Sequence, residues 1–140
     1  MDCPFCKIVI ENTERIIRET ERTFTVLSKP RLMPGHLLVI PKKHVERFSE
    51  LSKEERNELF DEIALLEQKI LIGLAPGCDI SQHYRPFIPN SRFKVSHLHI
   101  HVRPRSLDDD LYQKVQIFER DVFQEPNQEE FEKFKKLFGN

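Results

Sequence analysis

The sequence predicts an α+β domain: an antiparallel sheet of about five strands, with one long helix inserted among them and helices at the C-terminal end. Three observations carry this expectation. Short β-branched and aliphatic runs flank the middle of the chain, one unbroken stretch of period 3.6 fills that middle, and the tail is charged with helical spacing. At 140 residues the chain is the size of a single domain with its own core, read here as residues 1–140.

Residues 23–28 (TFTVLS) read as a strand, and 36–40 (HLLVI) as a second, introduced by the turn-forming "MPG" at 33–35. The long helix is "ELSKEERNELFDEIALLEQKILIG" at 50–73. Ser52 with Glu55 three residues later forms a capping box, Leu59, Ile63, Leu66 and Ile70 share one face, and Gly73 is a natural stop. After a loop holding Pro76 and Gly77, residues 79–87 and 93–102 read as strands of an antiparallel hairpin, with "IPNS" at 88–91 as its turn. In the tail Leu111, Val115, Phe118 and Val122 make one stripe, and Asn127 with Glu130 offers a second cap before "FEKFKKLF".

Composition excludes several classes. Hydrophobic residues are 39% and charged residues 32%, with a net charge of −1 and both signs mixed along the chain, so there is no basic footprint for duplex nucleic acid. No segment has the apolar length to cross a bilayer. The opening "MDCPFCKIVI" lacks a secretory pattern, and three cysteines do not make a disulfide framework; a cytoplasmic protein is expected.

The chemistry concentrates in "VSHLHIHVRPR" at 95–105, which holds His97, His99 and His101, half of the six histidines. In a strand these three side chains face one way while Leu98, Ile100 and Val102 face the other. A solvated face, a metal site and a nucleophilic imidazole all fit that row. All three rings cannot grip one ion, because the outer two stand ~13 Å apart along a strand at ~3.3 Å per residue. A neutral imidazole in the middle of the row could attack phosphorus while its neighbours bond the phosphate oxygens, but the row alone does not choose among the three.

A second stretch, "PGHLLVIPKKH", places His36 after a tight turn and His44 just past a strand. Together with "HLHIHVRPR" it resembles the histidine triad (HIT) superfamily of nucleotidyl hydrolases and transferases, from about residue 3 to about residue 105, leaving 106–140 as a C-terminal helical extension. Arg103 departs from the family's final hydrophobic position, a change that reads as minor. The resemblance implies a HIT-like fold. It implies His99 as the nucleophile forming a nucleotidyl-imidazole at the α-phosphorus, with His101 and His36 stabilising charge and assisting the leaving group. It also implies dinucleoside polyphosphates or nucleoside phosphoramidates as substrates, and a homodimer.

Two departures bear on binding. Where many members carry Gly-Gln-Ser/Thr before the first histidine, this chain reads "SRFKVS", so Lys94 and Ser96 are the candidate phosphate donors. Where the family has Asp or Asn for the ribose, counting back from His36 gives Ser28; Phe24 and Leu32 are candidate walls for the base, against the plainer reading of both as core. These departures keep a second class open, a nucleotide- or zinc-binding interaction module with little or no turnover.

"CPFC" at 3–6 also resembles the active site of glutaredoxins, but it lacks the preceding strand, and "KIVIENTERI" has too short an apolar run for the long helix that lowers a thiol pKa. One branch of the HIT superfamily binds zinc through such a pair, a histidine after the "IPK" strand, and the first histidine of the row. Those positions here are Cys3, Cys6, His44 and His97, two thiolates and two imidazoles that suit a closed structural zinc site. Cys78 has no place in that set and is expected to be a buried small residue.

Overall fold

The computed structural model describes residues 2–115 and 122–140. In chain order the elements are α1 (Pro4–Glu11), β1 (Ile16–Glu19), β2 (Thr23–Leu27), β3 (Leu37–Pro41), α2 (Lys53–Gly73), β4 (Gly77–Ser81), β5 (Ile100–Arg105), α3 (Asp110–Lys114) and α4 (Gln128–Phe138). The strands form one sheet in the order β1-β2-β3-β5-β4, every neighbouring pair antiparallel. The α+β expectation with five strands therefore holds.

The sheet has a helix on each face. Val39 on β3 and Leu98, Ile100 and Val102 meet Leu59, Ile63, Leu66 and Ile70 of α2 in one core. Each such side chain, fully buried, contributes about 1.5–3 kcal/mol. On the opposite face Phe24, Val26, Leu38 and Ile40 pack against Phe5 and Ile8 of α1. α2 begins as the sequence requires: the Ser52 hydroxyl accepts from Glu55 N–H at 3.1 Å, and the Glu55 carboxylate accepts from Ser52 N–H at 2.6 Å.

Several boundaries differ from the sequence expectation. α1 and β1 were not expected. Pro4 fixes the first turn of α1, and Phe5 and Ile8, three apart, dock on the sheet, so an apolar run too short to mark a helix by period suffices. The strand expected over 79–87 runs instead from Gly77 to Ser81. The strand expected over 93–102 is regular only over Ile100–Arg105. Pro104 is tolerated there because β3 pairs only with Ile100, His101 and Val102, leaving Pro104 a neighbour in β4 alone. β4 and β5 do pair, but residues 82–99 connect them; 88–91 is no tight hairpin turn, and a single bridge between Ser91 and Lys94 lies within that connection.

In the tail, α3 stops at Lys114 and Val115 is its C-cap, so the expected stripe does not continue through it. Phe118 lies outside the described residues, and Val122 is exposed. α4 carries the expected Asn127–Glu130 capping box, and none of its residues is buried. Among the described residues no helix is long and apolar enough to cross a membrane.

Candidate active site and metal centre

Alternation along residues 97–102 sorts the site. Leu98, Ile100 and Val102 are buried against α2, which turns His97, His99 and His101 toward the α1 face even though regular pairing starts only at Ile100. β3 supplies the neighbouring histidine through a tight turn. His36 N–H donates to Met33 C=O at 3.2 Å across Pro34 and Gly35, and Gly35 sits at φ +80°. The backbone conformation selects glycine there, while a Cβ would crowd a Leu74 methyl at 2.8 Å and the Pro104 ring at 3.1 Å.

The hydrogen bonds fix which nitrogen of each ring carries a proton, because a carbonyl oxygen only accepts and a backbone N–H only donates. His99 Nδ1 lies 2.6 Å from the His97 carbonyl and must donate to it, leaving Nε2 with its lone pair. His36 Nδ1 accepts from Leu32 N–H at 3.1 Å, so its Nε2–H donates to His101 Nδ1 at 2.9 Å. That leaves His101 with a proton on Nε2. His97 donates Nε2–H to the Pro41 carbonyl at 2.8 Å, freeing Nδ1.

Burial keeps these rings neutral. Desolvation pushes His36 down to about 4, helped by the charge of Arg103 and by the repulsion a protonated His99 would add. It pushes His101 to about 3, with His99, Arg103, His36 and His83 adding repulsion. His99 is lowered by the same burial, opposed by its bond to the His97 carbonyl. Phe5 braces the row, its ring edge-on to His99 at 5.1 Å and to His97 at 5.8 Å.

His97 Nδ1 faces sulfur. It lies 3.3 Å from Cys3 Sγ and 3.6 Å from Cys6 Sγ, and His44 Nδ1 lies 3.4 Å from Cys6 Sγ. The four ligand atoms all fall within 4.8 Å of one another, close enough to hold a metal ion. The donor set fits: two thiols whose deprotonation burial and mutual proximity oppose at Cys6, and an imidazole with a lone pair aimed between them. A cation there removes that opposition.

The HIT domain family matches residues 9–107. The chain belongs to that family. An uncharacterized HIT-like protein of Methanocaldococcus jannaschii is 33% identical over 107 residues, 74% of this chain and 78% of that one. An adenosine 5'-monophosphoramidase of Schizosaccharomyces pombe is 30% identical over 109 residues, 75% of each chain. The asymmetrical bis(5'-nucleosyl)-tetraphosphatase of the same yeast is 27% identical over 104 residues, covering 68% of this chain and 51% of its own, so this chain spans about half of that relative. A HIT family member from Bacillus subtilis has the same fold, with a TM-score of 0.76 and 24% identity over 98% of this chain and 94% of that structure.

Within this HIT domain the remaining sequence candidates scatter. Ser28 is buried, and its hydroxyl donates to the Pro30 carbonyl at 2.7 Å. Leu32 is 44% exposed beside His36, open to a ligand. Phe24 is a correction: at 1% exposure it is core beneath α1 and has no ring face for a base. Lys94 and Ser96 bond each other at 2.8 Å, and Ser96 donates to the Asn90 side chain at 2.7 Å. They line a cleft of about 490 Å³ whose walls include Cys3, His44 and Glu46, next to the metal ligands. Cys78 is half-buried against the α2 core, less enclosed than expected.

Sequence reading missed His83, whose ring centroid is 5.5 Å from that of His101. The signal was available in the period of β4: Ser81 lies opposite His101, and two residues on, at the same alternation, comes His83. It was hidden because the expected hairpin, turning at 88–91, sets His83 opposite Ser96 instead of beside His101. The glutaredoxin comparison also changes in one respect, since a helix does follow Cys3, though of only eight residues.

Proposed function

We propose that this HIT domain is a nucleotidyl hydrolase or transferase that cleaves at a nucleoside α-phosphate, on dinucleoside polyphosphates or nucleoside phosphoramidates. The observation that carries the reading is the 2.6 Å bond from His99 Nδ1 to the His97 carbonyl, which leaves Nε2 unprotonated on a ring braced by Phe5. A neutral, oriented imidazole is the form that attacks phosphorus. His99 Nε2 forms the P–N bond, and the bond from α-phosphorus to the leaving group breaks with its electron pair on that group. Water then attacks the nucleotidyl-His99, the P–N pair returns to Nε2, and the nucleoside monophosphate departs.

His101 presents an Nε2–H because His36 donates to its Nδ1, so the pair forms a donor relay for oxygens that gain charge. Ser28 and Leu32 flank the place where the nucleoside would lie, and Lys94 with Ser96 supply donors for further phosphates. The relatives named as a phosphoramidase and a tetraphosphatase support these substrate classes. Zinc is the ion that best suits two thiolates and two imidazoles, and Cys3, Cys6, His44 and His97 would hold it, bracing the strand that bears His99. A homodimer and a resident place in the cytoplasm complete the proposal.

The test is turnover. Incubation with diadenosine tetraphosphate and with adenosine 5'-phosphoramidate is expected to release adenosine monophosphate. His99→Ala is expected to lose at least about 10⁴-fold in kcat while keeping its fold. Nucleotide binding with no hydrolysis of either substrate would favour a binding module instead.

A further inference from the structure

We propose that Arg103 and Ser81 form an anion subsite beside His101 that receives the departing phosphate chain, which makes oligophosphate anhydrides the preferred substrate class over phosphoramidates. This deepens, and rests on, the reading of His99 as the nucleophile. Arg103 follows His101 by two residues on β5 and so shares its face, while Ser81 is the direct partner of His101 across β4. Both carry a buried polar atom without a partner. Among the described residues three buried side-chain nitrogen or oxygen atoms lack a hydrogen bond, and two of them are Arg103 Nε and Ser81 Oγ. Unpaired buried donors are rare in folded proteins, and a pair of them flanking a reactive histidine marks a place where a ligand completes the bonding.

Neither neighbouring carboxylate makes an ion-pair contact with Arg103, although the charge of Asp79 is felt there. Asp79 lies opposite it in the ladder, yet pairs with Arg105. Asp109 also goes to Arg105, at 2.7 Å. A half-buried guanidinium is thus left without an ion-pair partner among the described residues, next to His101. Its charge reaches the neighbouring rings, helping to hold His36 and His101 neutral. A hydrophobic residue at this place, which the family motif has, would supply none of this.

The chemistry separates the two substrate classes. When His99 Nε2 bonds to the α-phosphorus of an anhydride, the α-phosphorus–bridging-oxygen bond breaks. Its electron pair stays on that oxygen, and the leaving phosphate chain gains one negative charge. A fixed guanidinium and a hydroxyl donor stabilise that charge directly. In a phosphoramidate the pair falls on nitrogen, which needs a proton rather than a counter-charge. Arginine does not release one, so the subsite gives that substrate nothing.

The experiment compares kcat/KM for diadenosine tetraphosphate and adenosine 5'-phosphoramidate in wild type, Arg103→Leu, Arg103→Lys and Ser81→Ala, with binding of inorganic tripolyphosphate measured by calorimetry. Arg103→Leu is expected to lose about thirtyfold on the tetraphosphate and less than about threefold on the phosphoramidate, and to weaken tripolyphosphate binding at least about tenfold. Arg103→Lys keeps part of the difference, and Ser81→Ala loses about fivefold on the tetraphosphate alone. Should Arg103→Leu fail to fold, the lysine and alanine variants carry the comparison. Equal losses on both substrates, or tripolyphosphate binding indifferent to Arg103 and Ser81, would overturn the subsite. Wild-type protein inactive on both substrates but binding tripolyphosphate through Arg103 would keep the subsite and remove the nucleophile reading.

Discussion

His97 and His99 are two residues apart on one face, touch the same Phe5 ring, and hold opposite tautomers. Pro41 C=O takes the Nε2 proton of His97, while His97 C=O takes the Nδ1 proton of His99. The free nitrogen of one therefore faces two thiols, and that of the other is left for an electrophile. Residue type and strand period are identical in the two cases. What differs is which backbone carbonyl lies within reach of which nitrogen, so the division between the proposed metal ligand and the proposed nucleophile is made by the backbone around β3 and β5.

Substitutions at the two positions break the comparison in different ways. The largest effect is expected at His99, where alanine should remove turnover and leave the metal content unchanged. At His97, alanine is expected to abolish the metal stoichiometry measured by elemental analysis and to lower the Tm by about 10 °C, which corresponds to roughly 3 kcal/mol for a chain of this size. Chelation of wild-type protein reproduces that shift, and Cys3→Ser follows it. A His97→Ala protein with undiminished Tm and bound metal would remove the distinction between the two rings.

The relay sharpens the comparison at intermediate magnitude. His101→Ala and His36→Ala are each expected to lower kcat about 10²-fold, and the double variant little further, because the two rings act through one hydrogen bond. Additive losses in a double-mutant cycle would show that they work separately.

Stability against pH gives the smallest effect. The folded values of His36 and His101, about 4 and about 3, lie below the ordinary 6.5. The unfolded chain therefore binds protons that the folded chain refuses, and their contribution is complete above about pH 6.5 and lost as pH falls toward 4 and then 3. The Tm is expected to drop by about 5 °C or more between pH 7 and pH 5, with a shallower slope in His36→Asn. A slope unchanged by that substitution would place the titrating groups elsewhere.

The comparison also shows what a sequence displays. Period and caps are local, so α2, its Ser52 box and the alternation of Leu98, Ile100 and Val102 were legible. The four candidate metal ligands were legible only through resemblance, and their convergence depends on α1, whose Phe5 and Ile8 become a helix face by docking on a sheet far along the chain. Which carbonyl holds which ring was not legible, since it depends on where Pro41 and His97 fall in space. Arg103 looked like a trivial departure because its lack of an ion pair among the described residues depends on the two carboxylates that Arg105 takes. Phe24 was misplaced for the same kind of reason, as nothing in TFTVLS shows that α1 covers it.

The most direct measurement is to trap the intermediate. Rapid acid-free quenching during turnover of diadenosine tetraphosphate, followed by digestion and mass spectrometry, is expected to find one nucleotidyl group on His99, absent from His99→Ala. A nucleotidyl group on another residue, or steady turnover by His99→Ala, would contradict the assignment of that imidazole as the nucleophile.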